Sequence, residues 1–164
     1  MSTGRRWLAY ILSLLIGVQV VSFAFACAQM GQVERLIFAE VGMDQRVYEV
    51  DFADREIKTY MDGLDGRAYG LQSTALSRVD VLRLRTCGAL AMLPLWRDSY
   101  INASVSDAKM WRVSIISDGK AREIMGMGDW PLTWRLLIPK MTRMADTSMQ
   151  NALPISPDIP LMEL

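Results

Sequence analysis

The sequence predicts an α+β domain: an antiparallel sheet of about five strands with two helices packed on one face, plus an N-terminal hydrophobic signal or anchor helix. Three observations carry this reading. Short period-two apolar segments are joined by tight turns, with no βαβ alternation. Two later stretches place apolar residues at helical spacing. And Trp7–Ala26 runs without a single charge behind Arg5 and Arg6.

That N-terminal run divides the chain into 1–28, a signal peptide or membrane anchor, 33–145, an extracytoplasmic α+β domain, and 146–164, a proline-rich extended tail. At 1.5 Å per residue the uncharged run is about 30 Å long, the thickness of a bilayer core. It is longer than the apolar region of an ordinary cleaved signal. Arg5 and Arg6 mark the cytoplasmic side, so the remainder faces out. Three fates stand open: cleavage after Ala26 or Ala28, lipidation of Cys27 as a new N-terminus, or an uncleaved span. Ala26 before Cys27 suits lipoprotein processing; Phe25 and Ala24 suit it poorly.

The elements follow in order. Val33–Met43 reads as a strand, with Leu36 and Phe38 alternating with Arg35 and Ile37, and Gly42 supports a turn near Asp44-Gln45. Arg46–Ala53 is a strand with Tyr48, Val50 and Phe52 on one side and Glu49 and Asp51 on the other. Asp54-Arg55 turns into a third strand, Glu56–Met61, where Ile57, Thr59 and Met61 share a face. Asp62–Gly70 is glycine-rich and reads as a loop. Ser77 reads as an N-cap with Asp80 completing a capping box. Val79, Leu82, Thr86, Leu90 and Leu93 then form one apolar stripe, which Arg78, Arg83 and Arg85 avoid. Pro94 marks the end of that helix, and Trp96–Lys109 reads as a polar loop. Met110–Ser117 and Ala121–Met127 form a hairpin about Asp118-Gly119. Pro131 opens a closing helix with Leu132, Leu136, Leu137, Met141 and Met144 on its apolar side; Pro139 is expected to kink or split it.

Trp111–Met141 resembles small uncharacterised domains of bacterial envelope proteins and lipoproteins. The likeness lies in a strand, a DGK-like turn, a second strand ending in Gly, a nearby Pro and a closing helix. Ser77–Trp96 and the Trp96–Tyr100 loop are similar too. The resemblance implies an envelope location and this fold; it implies no catalytic residues.

Composition excludes more than it admits. The chain has no histidine, which removes Ser-His-Asp and Cys-His catalysis and zinc sites that use imidazole. Lys plus Arg and Asp plus Glu each number 18, so there is no basic excess for nucleic acid. Of the two cysteines, Cys27 and Cys87, Cys27 is the lipidation candidate, the pair is a disulfide candidate, and Cys87 alone fits a small buried apolar residue.

Few residue groups point to chemistry. Met125 and Met127, with Met141 and Met144, have the MxM and MxxM spacings of thioether sites for Cu(I); such methionines also fill cores. Asp51, Asp54 and Glu56 on one hairpin are candidate acid–base carboxylates. Asp62 and Asp65 lack the EF-hand spacing. Asn102-Ala103-Ser104 matches a glycosylation acceptor. Trp96, Trp111, Trp130 and Trp134 are core aromatics by default, with Trp130 and Trp134 partner anchors by alternative. The expected function is a non-enzymatic extracytoplasmic envelope domain, anchored or lipidated, that binds a protein or envelope component. The alternatives are a carboxylate-based hydrolase and a Met-based Cu(I)-binding protein. The partners expected are the membrane, through the N-terminus, and an envelope protein; no cofactor is expected.

Overall fold

The computed structural model describes residues 3–41, 45–62, 68–102, 104 and 109–152. Gly42 and Asp44 of the expected turn, Asp65, and Pro154, Pro157 and Pro160 lie outside them. The chain is α+β. Helix α1 (Thr3–Gln32) passes straight into β1 (Val33–Val41), followed by β2 (Gln45–Asp51), β3 (Glu56–Asp62), β4 (Ala68–Ala75), α2 (Arg78–Leu90), β5 (Ser99–Ile101), β6 (Met110–Ser117), β7 (Lys120–Met127) and α3 (Ile138–Ala152). Short 3-10 turns occupy Leu93–Leu95 and Trp134–Leu136.

The strands form one seven-stranded sheet in the order β4-β3-β2-β1-β6-β7-β5. Every pairing is antiparallel except β5 with β7, which is parallel. The sheet is therefore mixed and two strands wider than expected. Both additions are edge strands. β4 replaces part of the expected Asp62–Gly70 loop: its residues are mostly exposed, so it has no apolar alternation to announce it. Its ladder to β3 shifts register between Thr59 and Met61. β5 lies inside the expected Trp96–Lys109 loop and is three residues long. It is fastened at both ends, by Met125 N–H to Asp98 O at 3.0 Å and Asn102 N–H to Met127 O at 2.9 Å. The Arg122 guanidinium binds Asp98 Oδ1 at 2.7 Å and also reaches the carbonyls of Pro94 and Trp96.

The hairpins follow their sequence signals. Tyr48 pairs with Phe38 and Thr59, and Val113 with Phe38 and Ile124. Asp118 and Gly119 both take positive φ, 51° and 69°; that is the type I′ geometry whose twist matches the flanking strands. Leu36, Phe38, Val50, Ile57, Trp111, Val113 and Ile124 are buried on one face, in one core with Leu84, Leu137 and Met141 from the helices.

Two helices differ from expectation in ways that matter. On α2 the capping box is as expected, with Asp80 N–H donating to Ser77 Oγ at 3.2 Å. The buried face, however, is Leu84, Gly88 and Ala89, while Val79, Leu82 and Leu90 are exposed. Small residues win because α1 approaches closely: a Cβ on Gly88 would stand 2.6 Å from Met30 Cε. The helix expected from Pro131 divides into the Trp134–Leu136 turn and α3, and Pro139 is the second residue of α3, where its missing N–H has no helical partner to lose. Pro131 precedes the helix, Leu132 and Leu136 are exposed, and Leu137, Met141 and Ala145 carry the burial. α3 also continues to Ala152, into the stretch expected to be an extended tail.

Candidate functional site

The junction of α1 with the domain is where the described residues concentrate unusual features. α1 is long and apolar enough over Trp7–Gln32 to cross a membrane, and its central window is only 6% buried. Its last two turns are different: Ala26 is 0% and Met30 1% exposed, both inside the domain core. No linker separates the apolar rod from the fold.

Arg85 closes the end of the rod. A helix leaves its last carbonyls without intrahelical donors, and its C-terminus carries partial negative charge. α1 has no basic residue in its last turn. Arg85 supplies one from α2: Nη1 donates to Met30 O and to Gly31 O (2.5 Å), and Nη2 to Val33 O at 3.1 Å. Its guanidinium lies 4.7 Å from the Phe52 ring centroid. Burial lowers the Arg85 pKa from its ordinary value; three carbonyls and a ring face compensate the lost water. Arg85 meets the carbonyls of Met30, Gly31 and Val33, and Gly88 meets the Met30 side chain, so α2 packs on the last turn of α1.

Beyond α2 an aromatic ladder packs the other end of the sheet. Trp111 stacks on Trp130 at 4.8 Å and Trp130 on Trp134 at 4.5 Å, with Trp96 edge-on to Trp111 at 6.5 Å. Gly126 makes room for it: a Cβ there would lie 2.2 Å from the Trp111 ring. Trp111 Nε1 donates to Asp129 O at 2.9 Å. Trp96 Nε1 donates to Ala91 O at 2.7 Å, and Thr133 Oγ1 donates to the same carbonyl at 2.5 Å. Trp130 and Trp134 are thus half-buried members of a stack.

The other candidates are dispersed. Cys27 is exposed on α1, Cys87 half-buried on α2, and both are free thiols. Met125 and Met127 lie on the sheet face away from the helices, with Met110 directly opposite Met127. Met141 is fully buried under α3, and Met144 packs beside the core. The sheet stands between the two methionine pairs, so they form no single site.

Of the three hairpin carboxylates, Asp51 and Glu56 have structural partners, and Asp54 takes part in the turn through its backbone N–H. Asp51 Oδ1 accepts the N–H groups of Ala53 and Asp54, both at 2.9 Å, and so shapes the β2–β3 turn. Glu56 accepts from the Ser73 hydroxyl, pairs with Lys58 at 3.1 Å, and is held below the usual carboxylate range first by Ser73 and then by Lys58. A depressed pKa suits a carboxylate that stays charged, not a proton donor. Tyr60 is pushed up by burial and then by Glu49. A cleft of about 300 Å³ between Gln29, Pro94, Ile115, Lys120 and Arg122 contains none of these acids. No group of three or more metal-binding His, Cys, Asp or Glu occurs among the described residues.

No protein-family model matches the chain, and no curated protein matches it in sequence. What the junction can do is therefore argued from its own geometry: hold an apolar helix rigidly to a folded domain. Arg85 falls away from the leucine stripe of α2 that reads as the buried face. The signal that would have found it is the small-residue run Gly88, Ala89 and Ala91 beside it, a surface shaped for a second helix.

Proposed function

We propose that this chain is a non-enzymatic domain of the bacterial envelope, held to the membrane by an uncleaved α1 and working outside the cytoplasm by binding a protein or another envelope component. The observation that carries the reading is the burial of Ala26 and Met30 in the domain core, with Arg85 on the carbonyls that end the helix. Cleavage after Ala26 or Ala28 removes a core residue, and lipidation at Cys27 requires the same loss. Arg5 and Arg6 before the apolar run support the outward orientation. The likeness of Trp111–Met141 to small envelope domains supports the location. Acids committed to turns and ion pairs favour binding over hydrolysis.

The deciding measurement is the intact mass of the protein extracted from its native membrane. A mass retaining the whole apolar run, near 18.5 kDa, is expected. A mass lacking the residues before Cys27 or Gln29 overturns the anchor. Crosslinking in intact membranes that yields no specific partner overturns the binding role.

A further inference from the structure

We infer that Met110, Met125 and Met127 form a three-thioether site for Cu(I) on the sheet face opposite the helices. The inference goes beyond the anchor reading and does not depend on it. Sequence spacing offers Met141 and Met144 as companions of Met125 and Met127, but these lie under or beside α3, across the sheet. The β6–β7 ladder supplies a different third sulfur. Met110 is the register partner of Met127, as Trp111 is of Gly126. Trp111 and Gly126 face the core and touch one another, since a Cβ on Gly126 would meet the Trp111 ring. Side chains alternate along a strand, so Met110, Met127 and Met125 share the other face.

Residues directly opposite in such a ladder have Cβ atoms about 4.5–5.5 Å apart and diagonal neighbours stand about 7–8 Å apart, within reach of long side chains. Three unbranched methionines at one corner can therefore turn their Sδ atoms onto one ion. The backbone beneath them is held on both sides. β7 lies between β6 and β5, and Ser99 and Ile101 pair with Met125 and Met127. Met125 N–H donates to Asp98 O at 3.0 Å, and Asn102 N–H to Met127 O at 2.9 Å. Core filling accounts for Met30 and Met141, 1% and 0% exposed. It does not account for Met110 and Met125, which are 44% and 51% exposed. The donors choose the ion. Thioethers are soft and neutral and suit Cu(I), whereas Mg²⁺, Ca²⁺ and Mn²⁺ take oxygen ligands and Zn²⁺ takes thiolate, imidazole or carboxylate. The cross-strand neighbours add no carboxylate: Val41 stands opposite Met110, Ile101 opposite Met127, and Ser99 and Arg112 on either side of Met125. The Arg112 charge repels a divalent ion twice as strongly as a monovalent one.

The full chain in detergent, with Cys27→Ala and Cys87→Ala to remove competing thiolates, is isotopically labelled at its methionine methyl groups. It is titrated without oxygen with the acetonitrile complex of Cu(I), and the methyl resonances are followed by NMR. The expected result is one Cu(I) per chain and a shift of the three resonances that Met110→Leu, Met125→Leu and Met127→Leu individually remove. Each of these variants is expected to weaken Cu(I) about tenfold or more, since even a partner outside the ligand set accounts for that much. Met61→Leu, at an exposed position on β3, is expected to leave the affinity unchanged. Leucine for methionine conserves volume at these positions, so the variants fold. No methyl shift at an excess of Cu(I) overturns the site. Binding that survives Met110→Leu, or shifts at Met141 and Met144 in place of the three, also overturns it.

Discussion

Arg85 is the residue on which the α1–domain junction turns, because one side chain meets the carbonyls of Met30, Gly31 and Val33 and the face of Phe52. Arg85→Met removes all its hydrogen bonds and leaves the end of α1 uncapped; a charged donor to backbone carbonyls accounts for about 2 kcal/mol or more. Arg85→Lys keeps the charge but not the planar fork, so it recovers only part of that loss. Urea unfolding of both variants in detergent reads the difference, and equal stability of wild type and Arg85→Met would refute the role. Gly126 is constrained by contact rather than by dihedral angle: Gly126→Ala drives a methyl group into the Trp111 ring and costs about 1–3 kcal/mol, with altered near-ultraviolet dichroism from the Trp stack. Glu56 predicts a pH dependence. Its folded-state pKa lies below the ordinary 4.5 because the charged form gains the Ser73 hydroxyl and Lys58. That contribution is present above pH 4.5 and is lost as pH falls through the folded value. Stability of the wild type therefore drops more steeply in acid than that of Glu56→Gln, measured as unfolding midpoint against pH.

Elements show why the sequence was readable in the middle of the sheet and misleading at its edges and helices. β1, β2, β3, β6 and β7 have one face against the helices, and that asymmetry writes itself as Leu36/Phe38, Val50/Phe52 and Trp111/Val113 alternation. β4 and β5 bury little, so nothing in their side chains distinguishes them from loop. The apolar stripe of α2 read as core because leucines outweigh glycine and alanine in any hydrophobic count. Burial instead went to the face that lets α1 come close. The candidate site suffered from the same bias: Arg85 is conspicuous only once Gly88 and Ala89 are seen as a contact surface. Pro139 reads as a breaker only if the helix begins at Pro131; α3 begins at Ile138. Its actual place in the first turn makes a prediction opposite to the usual one. Pro139→Ala changes stability by less than about 1 kcal/mol, whereas Ala145→Pro, in the buried interior of α3, costs about 3 kcal/mol or more. Unfolding midpoints of the two variants separate the positions.

The whole molecule is organised around the continuity of one helix, from an apolar rod into the hydrophobic core and on into the central strands of the sheet. A protein with a detachable signal keeps its core residues behind the cleavage point. Here Ala26 and Met30 belong to the same core as Leu84, Ala89 and Leu93, and α1 ends at Gln32 with β1 starting at Val33. The two arrangements predict different consequences of trimming the N-terminus. A chain starting at Val21 keeps the last turns of α1 and both core residues. A chain starting at Gln29 keeps Met30 only on a fragment too short to hold a helical turn, since nucleation fails at that length without the preceding residues. Loss of Ala26 and release of Met30 from the core then cost about 3 kcal/mol or more, and Arg85 is left facing carbonyls no longer fixed in a helix. Thermal unfolding of the two truncations should differ by many degrees, with the Val21 chain close to the full-length domain and the Gln29 chain melting early or failing to fold. Equal melting of the two would mean that the buried turns of α1 are dispensable, and would restore the cleaved signal as the better account of the N-terminus.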